Sequence, residues 1–306
     1  MIKYFQKTVT KRHPKELEAF KVGSWIYVEN PNEAEKKILA ENFGIKENII
    51  EDALDPNEVP RLEEEDGNVC IYARVPLQKG EEVTTSTVLI VIGGNFFLTL
   101  CSEKIPFLKK FLNGSTDFNT TQKTRFFLQV FSEINRGYSD LIFKINRNVR
   151  GKSISLEKIS NKDITQFVRY EITLNDFLSA LFPMNAVLET LLVGKKISFY
   201  EQDRDLMEDL SLSAEQLIDA CRANLKAIVN IREAYSTILT NSLNDTIRTL
   251  TVVTVVLTIP TLVASLFGMN VPVPFSENPY GFIFIIVISI AISAAILGWF
   301  FRKHWV

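Results

Sequence analysis

Two stretches stand apart in the pattern of polar and apolar positions. Charged residues are spread through the segment from Ile2 to Arg248, vanish for the 28 residues Thr249 to Ser276, return once at Glu277, and vanish again from Asn278 to Phe301. Each uncharged run can supply the ~20 apolar residues that cross a ~30 Å hydrocarbon core at ~1.5 Å of rise per residue. The pattern predicts transmembrane helices over 249–270 and 281–301, an outer loop over 271–280 and a basic tail over 302–306.

Residues 1–115 read as a mixed α/β domain. Ser24 to Glu29, Asn68 to Val75, Val83 to Ile92 and Phe96 to Leu100 are rich in β-branched and aromatic residues, with Gly80 and Gly93-Gly94 as turns between them. Asn32 to Asn42 has helical spacing, and Asn30 is placed to cap it ahead of Pro31. Over 116–194 the period changes. Phe127, Phe131, Ile134, Tyr138, Leu141 and Ile145 recur at three- and four-residue steps, Gly151 interrupts, and Ile164, Phe167, Leu174, Leu178 and Leu181 follow. A helical hairpin is expected, kinked or broken at Pro183.

Between Gly194 and Pro260 there is neither glycine nor proline, and Ile218, Cys221, Leu225, Ile228, Tyr235 and Leu239 mark one apolar face. A long stalk helix over 195–248 is therefore expected to run into the first span without a stop. At ~1.5 Å per residue the 65 residues between Gly194 and Pro260, if wholly helical, measure roughly 100 Å, so an event far from the membrane reaches the span without a hinge.

Overall composition, 23% charged and 46% hydrophobic with a net charge of −2, adds little. The distribution of basic residues adds more. Arg248 precedes the first span, Arg302 and Lys303 follow the second, and Val271 to Tyr280 has neither Lys nor Arg, which puts both termini in the cytoplasm. The N-terminal MIKYFQKTVTKRHPK has no apolar stretch of a secretory signal, so the α/β domain is expected to be cytosolic. Cys70, Cys101 and Cys221 are odd in number and far apart, which fits small core residues in a reducing compartment. His13 and His304 are the only histidines, which excludes a Cys/His zinc site of ordinary spacing. No basic cluster interleaved with aromatics points to nucleic acid. Neither a nucleophile-and-base arrangement nor a phosphate loop points to an enzyme, although two spans that merely anchor a sensor or enzyme remain the alternative of a different class.

In the first span the small polar residues keep a strict order. Thr251, Thr254, Thr258, Thr261 and Ser265 follow at steps of three and four and share one helix face, which extends back to Ile247 and Asn244 and forward to Gly268. Such a face suits a water-filled path; it also suits hydroxyls bonding their own helix carbonyls or small surfaces packing between helices. Pro260 removes one donor and frees the carbonyl of Val256, a defect that membranes tolerate when neighbouring helices, hydroxyls or water satisfy it.

The span ends in Phe267-Gly268-Met269-Asn270, and Val271-Pro272-Val273-Pro274 stops the helix. Gly-Met-Asn directly after the first of two C-terminal spans resembles the signature of the CorA family of divalent-cation channels. The segment from Ile50 to Pro76, IEDALDPNEVPRLEEEDGNVCIYARVP, is similar to that family's acidic segment leading into a strand, and the α/β domain, stalk helix and basic tail match along essentially the whole chain. The resemblance implies a homopentameric, funnel-like channel in the cytoplasmic membrane that takes up Mg²⁺. Co²⁺, Ni²⁺ or Zn²⁺ is the alternative cargo within the superfamily, and Met269 in the middle of the tripeptide favours the magnesium branch.

Mg²⁺ holds its waters tightly in octahedral oxygen geometry, so a pore that passes the hydrated ion needs only carbonyls and amides. The resemblance makes Gly268, Met269 and Asn270 the selectivity filter, with the Gly268 carbonyl and Asn270 side-chain oxygen accepting from the water shell and Met269 as packing. The threonine face lines the path below it, Ile247 and Leu250 form apolar rings that close by dewetting, and Asn244 forms a polar entry ring. Glu277 is the one acid of the outer loop. For regulation, the resemblance places Glu51 and Asp52 near a cytosolic Mg²⁺ site facing Glu208 and Asp209 of a neighbouring stalk, where carboxylates repel unless a cation lies between them. The same acids also read as a solvated surface.

Overall fold

The computed structural model of the protein describes residues 1–306 except 9–12, 81, 154–158, 195–196, 198, 271–273, 275–278 and 304–306. They fall into two compact units, Met1–Asn230 and Ile231–Val306.

In the first unit, strands β1 (Ile2–Gln6), β2 (Lys15–Leu17), β3 (Ser24–Glu29), β4 (Arg61–Glu65), β5 (Asn68–Lys79), β6 (Glu82–Ile92) and β7 (Phe96–Cys101) form a seven-stranded sheet in the order β2-β1-β3-β7-β6-β5-β4. β3 pairs with β7 in parallel and the remaining neighbours are antiparallel. The inner strands read as nearly unbroken apolar runs because helices cover both faces of the sheet. Helices α1 (Glu33–Phe43) and α2 (Glu47–Leu54) pack Leu39, Phe43, Ile49, Ile50 and Ala53 against Ile26, Val28, Tyr72, Leu89, Val91 and Leu98. Alternation turns Trp25 and Phe97 to the other face. There Trp25 meets Phe118, which packs on Phe111 of α3 (Leu108–Leu112), and the Trp25 and Phe97 rings both meet Phe126 of α4 (Lys123–Ser153), with ring centroids 5.2 Å apart for Trp25–Phe126 and 4.5 Å for Phe97–Phe126. The Trp25 indole N–H donates to Thr99 Oγ1 at 2.9 Å, so the polar end of this buried ring is satisfied.

The strands named from sequence all form, each within a few residues of its expected ends. β1, β2 and β4 were not expected; β2 and β4 are the two edges of the sheet and carry the charged sequences KEL and RLEEE. The α1 cap is Asn32 and not Asn30: the Asn32 side chain accepts from Glu35 N–H, Glu35 returns the bond to Asn32 N–H, and Asn30 lies in the left-handed region at φ 42°. Gly151 does not interrupt α4, which continues to Ser153, because glycine weakens a helix without removing its N–H. α5 (Asn161–Val193) likewise runs through Pro183, held by buried Leu181, Met184 and Leu188 on either side of it. The long helix α6 spans Glu201–Phe267, starting later than the expected 195 and passing through Pro260. α7 covers Gly281–Arg302.

Among the described residues three helices, α5, α6 and α7, are long and apolar enough to cross a membrane. α5 buries its apolar side, including Phe167, Leu174, Phe177, Leu181 and Leu188, within the first unit and packs on β5 and β6. Its apolar content is that of a core helix. The cysteines are free and buried, and burial pushes the thiols of Cys70, Cys101 and Cys221 up to about 12, so they are inert packing residues.

The start of α5 carries a pH-dependent cap. Ser160 Oγ accepts from Asp163 N–H, while Asp163 Oδ2 accepts from Ser160 N–H at 2.9 Å and Oδ1 pairs with Lys152 Nζ at 2.9 Å. The Ser160 backbone bond, followed by Lys152, lowers the Asp163 carboxyl from 3.8 to about 2. A depressed folded-state value stabilises above the unfolded value and loses that contribution as pH falls through the folded one. Asp163→Ala is expected to cost about 1 kcal/mol at neutral pH, and thermal melts of the two proteins should converge as pH is lowered from 4 towards 2.

Candidate ion path and regulatory carboxylates

The four threonine hydroxyls of the α6 stripe donate within their own helix. Thr251, Thr254, Thr258 and Thr261 Oγ1 bond the carbonyls of Ile247, Leu250, Thr254 and Leu257 at 2.8, 2.8, 2.7 and 3.0 Å. With the proton committed inward, each oxygen presents its remaining acceptor capacity outward. That polarity suits the shell of a hydrated cation, whose waters point hydrogens away from the ion. The stripe residues, with Ser265, are exposed. The covered side of this part of α6 is formed by Val252, Val255, Val256, Ile259 and Val263, centred roughly 135° away at ~3.6 residues per turn. α7 turns Ser289, Ser293 and Phe300 inward, and the Ser293 hydroxyl lies 3.5 Å from the carbonyl of Val256. The threonine face is therefore the one α7 leaves free.

Asn244, Ile247 and Leu250 are exposed as well. An apolar helix surface of this extent, left uncovered by its own chain, is a surface for lipid or other copies of the helix. At its far end α6 stops at Phe267, and Gly268 N–H donates back to the carbonyls of Ala264 at 3.0 Å and Ser265 at 3.3 Å. Gly268, Met269 and Asn270 thus sit exposed at a helix C-terminus, where the dipole favours a cation. Glu277 lies outside the described residues.

The carboxylates are arranged differently from the sequence expectation. Asp52, on α2, is held by Arg61: Nη2 reaches Asp52 Oδ2 at 2.7 Å and Nε reaches Glu63 Oε1 at 2.6 Å, while Nη1 pairs with Glu58. The guanidinium also stacks on the Tyr72 ring, 4.0 Å from its centroid. Glu51 is exposed, and Glu208 faces Arg204 at 3.7 Å. Asp209 lines a cavity of ≈ 550 Å³ with Arg125, Ser132, Asn135, Arg136 and Ser213, and among the described residues no ion pair holds it. No three His, Cys, Asp or Glu side chains among the described residues converge closely enough to hold a metal, so one chain does not bring these four acids together.

Sequence reasoning did not single out what holds Asp209 in place. Asn135 Nδ2 of α4 donates to the Leu210 carbonyl at 3.1 Å, and Ser211 Oγ donates to Asn185 Oδ1 of α5 at 3.2 Å. Two buried asparagines thus fix consecutive α6 residues just after Asp209. No local signal marks them. Arg61, nine residues from Asp52, was legible only as a lone base among acids. Ser289 and Ser293 do carry a signal, the small-xxx-small spacing of close helix contacts.

Over residues 20–303 the sequence matches the family described as CorA-like Mg2+ transporter protein. A cobalt/magnesium transport protein CorA from Methanocaldococcus jannaschii is 25% identical over 92% of this chain and 91% of its own length. A magnesium transport protein CorA from Helicobacter pylori is 22% identical over 98% of this chain and 97% of its own. In fold, the complete structure of the CorA magnesium transporter from M. jannaschii superposes with a TM-score of 0.85, covering 100% of this chain and 99% of that one at 22% identity. The chain belongs to the CorA-like Mg²⁺ transporter family. It is a membrane protein of a divalent-cation transporter class and not an enzyme, which removes the anchored-enzyme reading of its apolar helices.

Proposed function

We propose that the protein is a homopentameric channel that admits hydrated Mg²⁺ across the cytoplasmic membrane, with the Met1–Asn230 unit and both termini in the cytosol. The observation that carries this reading is the face of α6 at Thr251, Thr254, Thr258, Thr261 and Ser265: exposed, turned from α7, and offering threonine oxygens whose protons are donated within the helix. Copies of α6 around an axis would line it with acceptors for the waters of the ion. At the outer end, Gly268 carbonyls and Asn270 amides form a neutral collar, which holds a divalent ion weakly enough to release it. Met269 packs beside them. Near the cytosolic mouth, Ile247 and Leu250 would form the apolar constriction and Asn244 the polar entry, and Glu277 the acid of the outer loop.

The M. jannaschii relative is named for cobalt as well as magnesium. Hydrated Co²⁺ and Ni²⁺ present the same outward hydrogens, so both are expected to compete for the path; uptake assays with competing metals measure this.

Closure by cytosolic Mg²⁺ is the second part of the proposal. Asp209 supplies a carboxylate that has no ion-pair partner among the described residues, and Asp52 one shared with Arg61, so an ion bridging Asp52 of one copy to Asp209 of the next must draw Asp52 from its arginine. Glu51 and Glu208 stand beside them. When the ion leaves, repulsion between the facing acids would loosen the stalks. Mg²⁺ should protect the cytosolic unit from protease, and the double substitution Asp52→Ala with Asp209→Ala should remove that protection. Protection unchanged in the double variant would move the regulatory site elsewhere.

A further inference from the structure

We propose that Ser293 is a positioning residue of the ion path: its hydroxyl supplies the hydrogen bond that Pro260 denies to the carbonyl of Val256, and so fixes the shape of α6 between Thr258 and Thr261. The inference rests on the reading of α6 as the ion-lining helix.

α6 remains helical through Pro260. Proline has no N–H, so the Val256 carbonyl lacks its partner four residues on. In a membrane such a carbonyl is costly unless another donor reaches it. The neighbouring hydroxyls on α6 point elsewhere: Thr258 donates to the Thr254 carbonyl at 2.7 Å and Thr261 to the Leu257 carbonyl at 3.0 Å. Ser293, only 9% exposed, places Oγ 3.5 Å from the Val256 oxygen and 2.9 Å from the Ser289 oxygen. A serine has one hydroxyl proton to give. The Ser289 carbonyl lies four residues before Ser293 inside α7 and already receives a helical N–H. Giving the proton to Val256 satisfies both carbonyls; giving it to Ser289 leaves one bare. Of the two acceptors within reach, Val256 is the one without its helical N–H, so the proton satisfies most there; the 2.9 Å contact with Ser289 is the competing arrangement.

The consequence for transport is geometric. Pro260 sits between Thr258 and Thr261, so the bend it permits sets how those two hydroxyls face the axis. A bond from α7 at that turn holds the bend at one angle. Without it, the upper half of the hydroxyl face is free to tilt and the ring of oxygens loses its register.

The test is a double-mutant cycle on the full-length protein, comparing wild type, Ser293→Ala, Pro260→Ala and the double variant, with Ser293→Cys as a control of similar size and feeble donor strength. Thermal melting of the detergent-solubilised oligomer reads the bond, and Mg²⁺ flux into proteoliposomes reads its effect on the path. Ser293→Ala and Ser293→Cys are each expected to lower flux by about threefold, the factor an average interhelical hydrogen bond in a membrane supplies, and to lower the melting temperature. In the Pro260→Ala background the new N–H serves Val256, so Ser293→Ala should change neither quantity. Equal effects of Ser293→Ala in both backgrounds, or wild-type behaviour of Ser293→Cys, would overturn the proposal. Should Pro260→Ala fail to assemble, the comparison of alanine and cysteine at position 293 decides alone: reduced melting and flux in both support the bond, and a wild-type cysteine variant refutes it. Non-additive melting together with no Mg²⁺ flux in wild type would instead refute the transport reading and leave the hydrogen bond standing.

Discussion

Asn270→Ala is expected to abolish Mg²⁺ uptake while leaving the oligomer assembled. Asn270 is exposed just beyond the C-terminus of α6, so its side chain carries no core packing whose loss would unfold the protein. In the proposed collar each amide oxygen accepts a hydrogen bond from water polarised by a divalent ion. Bonds to charged groups are worth about 1.5–3 kcal/mol each, so losing one from every copy at once should lower uptake by at least about a hundredfold. Alanine also removes the volume that narrows the collar, so selectivity should fail along with affinity. The measurement is Mg²⁺ uptake in a transport-deficient cell, with size-exclusion chromatography of the purified variant to confirm assembly. Normal uptake with a normal oligomer would take Asn270 out of the filter.

The second large effect belongs to the sheet that carries α4 and α5. Phe126 is fully buried, and its ring meets Trp25 at 5.2 Å, Phe97 at 4.5 Å, Phe111 at 5.4 Å and Phe118 at 4.7 Å between centroids. Phe126→Ala removes the ring around which that cluster is built and leaves a cavity that rigid strands on one side cannot close. The expected cost is about 3–5 kcal/mol, on the order of 10 °C in the melting of the Met1–Asn230 unit within the full chain. Circular dichroism melts in detergent check it. Because the same helix α4 bears Asn135, which holds α6 beside Asp209, partial loosening should also weaken protection by Mg²⁺. An unchanged melting curve would mean that the aromatic face does not hold the unit together.

The inner strands were legible because their chemistry is local. SWIYVE and FFLTLC have the side chains that suit a pleated surface covered on both faces, and both are strands within a residue of where the pattern put them. The edge strands KEL and RLEEE were not, because their charges suit solvent and only pairing with β1 and β5 makes them strands. Gly151 and the expected break at Pro183 misled in the opposite direction. Both residues lower helix propensity, yet α4 and α5 continue through them, since propensity is a weak preference that tertiary packing overrides; α6 runs through Pro260 as the span pattern predicted. The Asn30 cap failed by two residues because a capping box depends on the reciprocal bond from Glu35, which fixes Asn32.

For the candidate site the division is similar. The hydroxyl stripe, the glycine- and proline-free run before Pro260 and the tripeptide after Phe267 are properties of spacing along one helix, so the sequence by itself determined them, with the family membership that follows from the tripeptide's place. Only the tertiary structure decided that α7 covers the other side of α6, that Arg61 takes the charge of Asp52, that Asn135 and Asn185 hold the turn after Asp209, and that Ser293 lies against the carbonyl freed by Pro260. A helical period needs only the steric rules of neighbouring residues, whereas each of these contacts joins groups on different elements, and where such groups meet is set by how whole helices and strands pack.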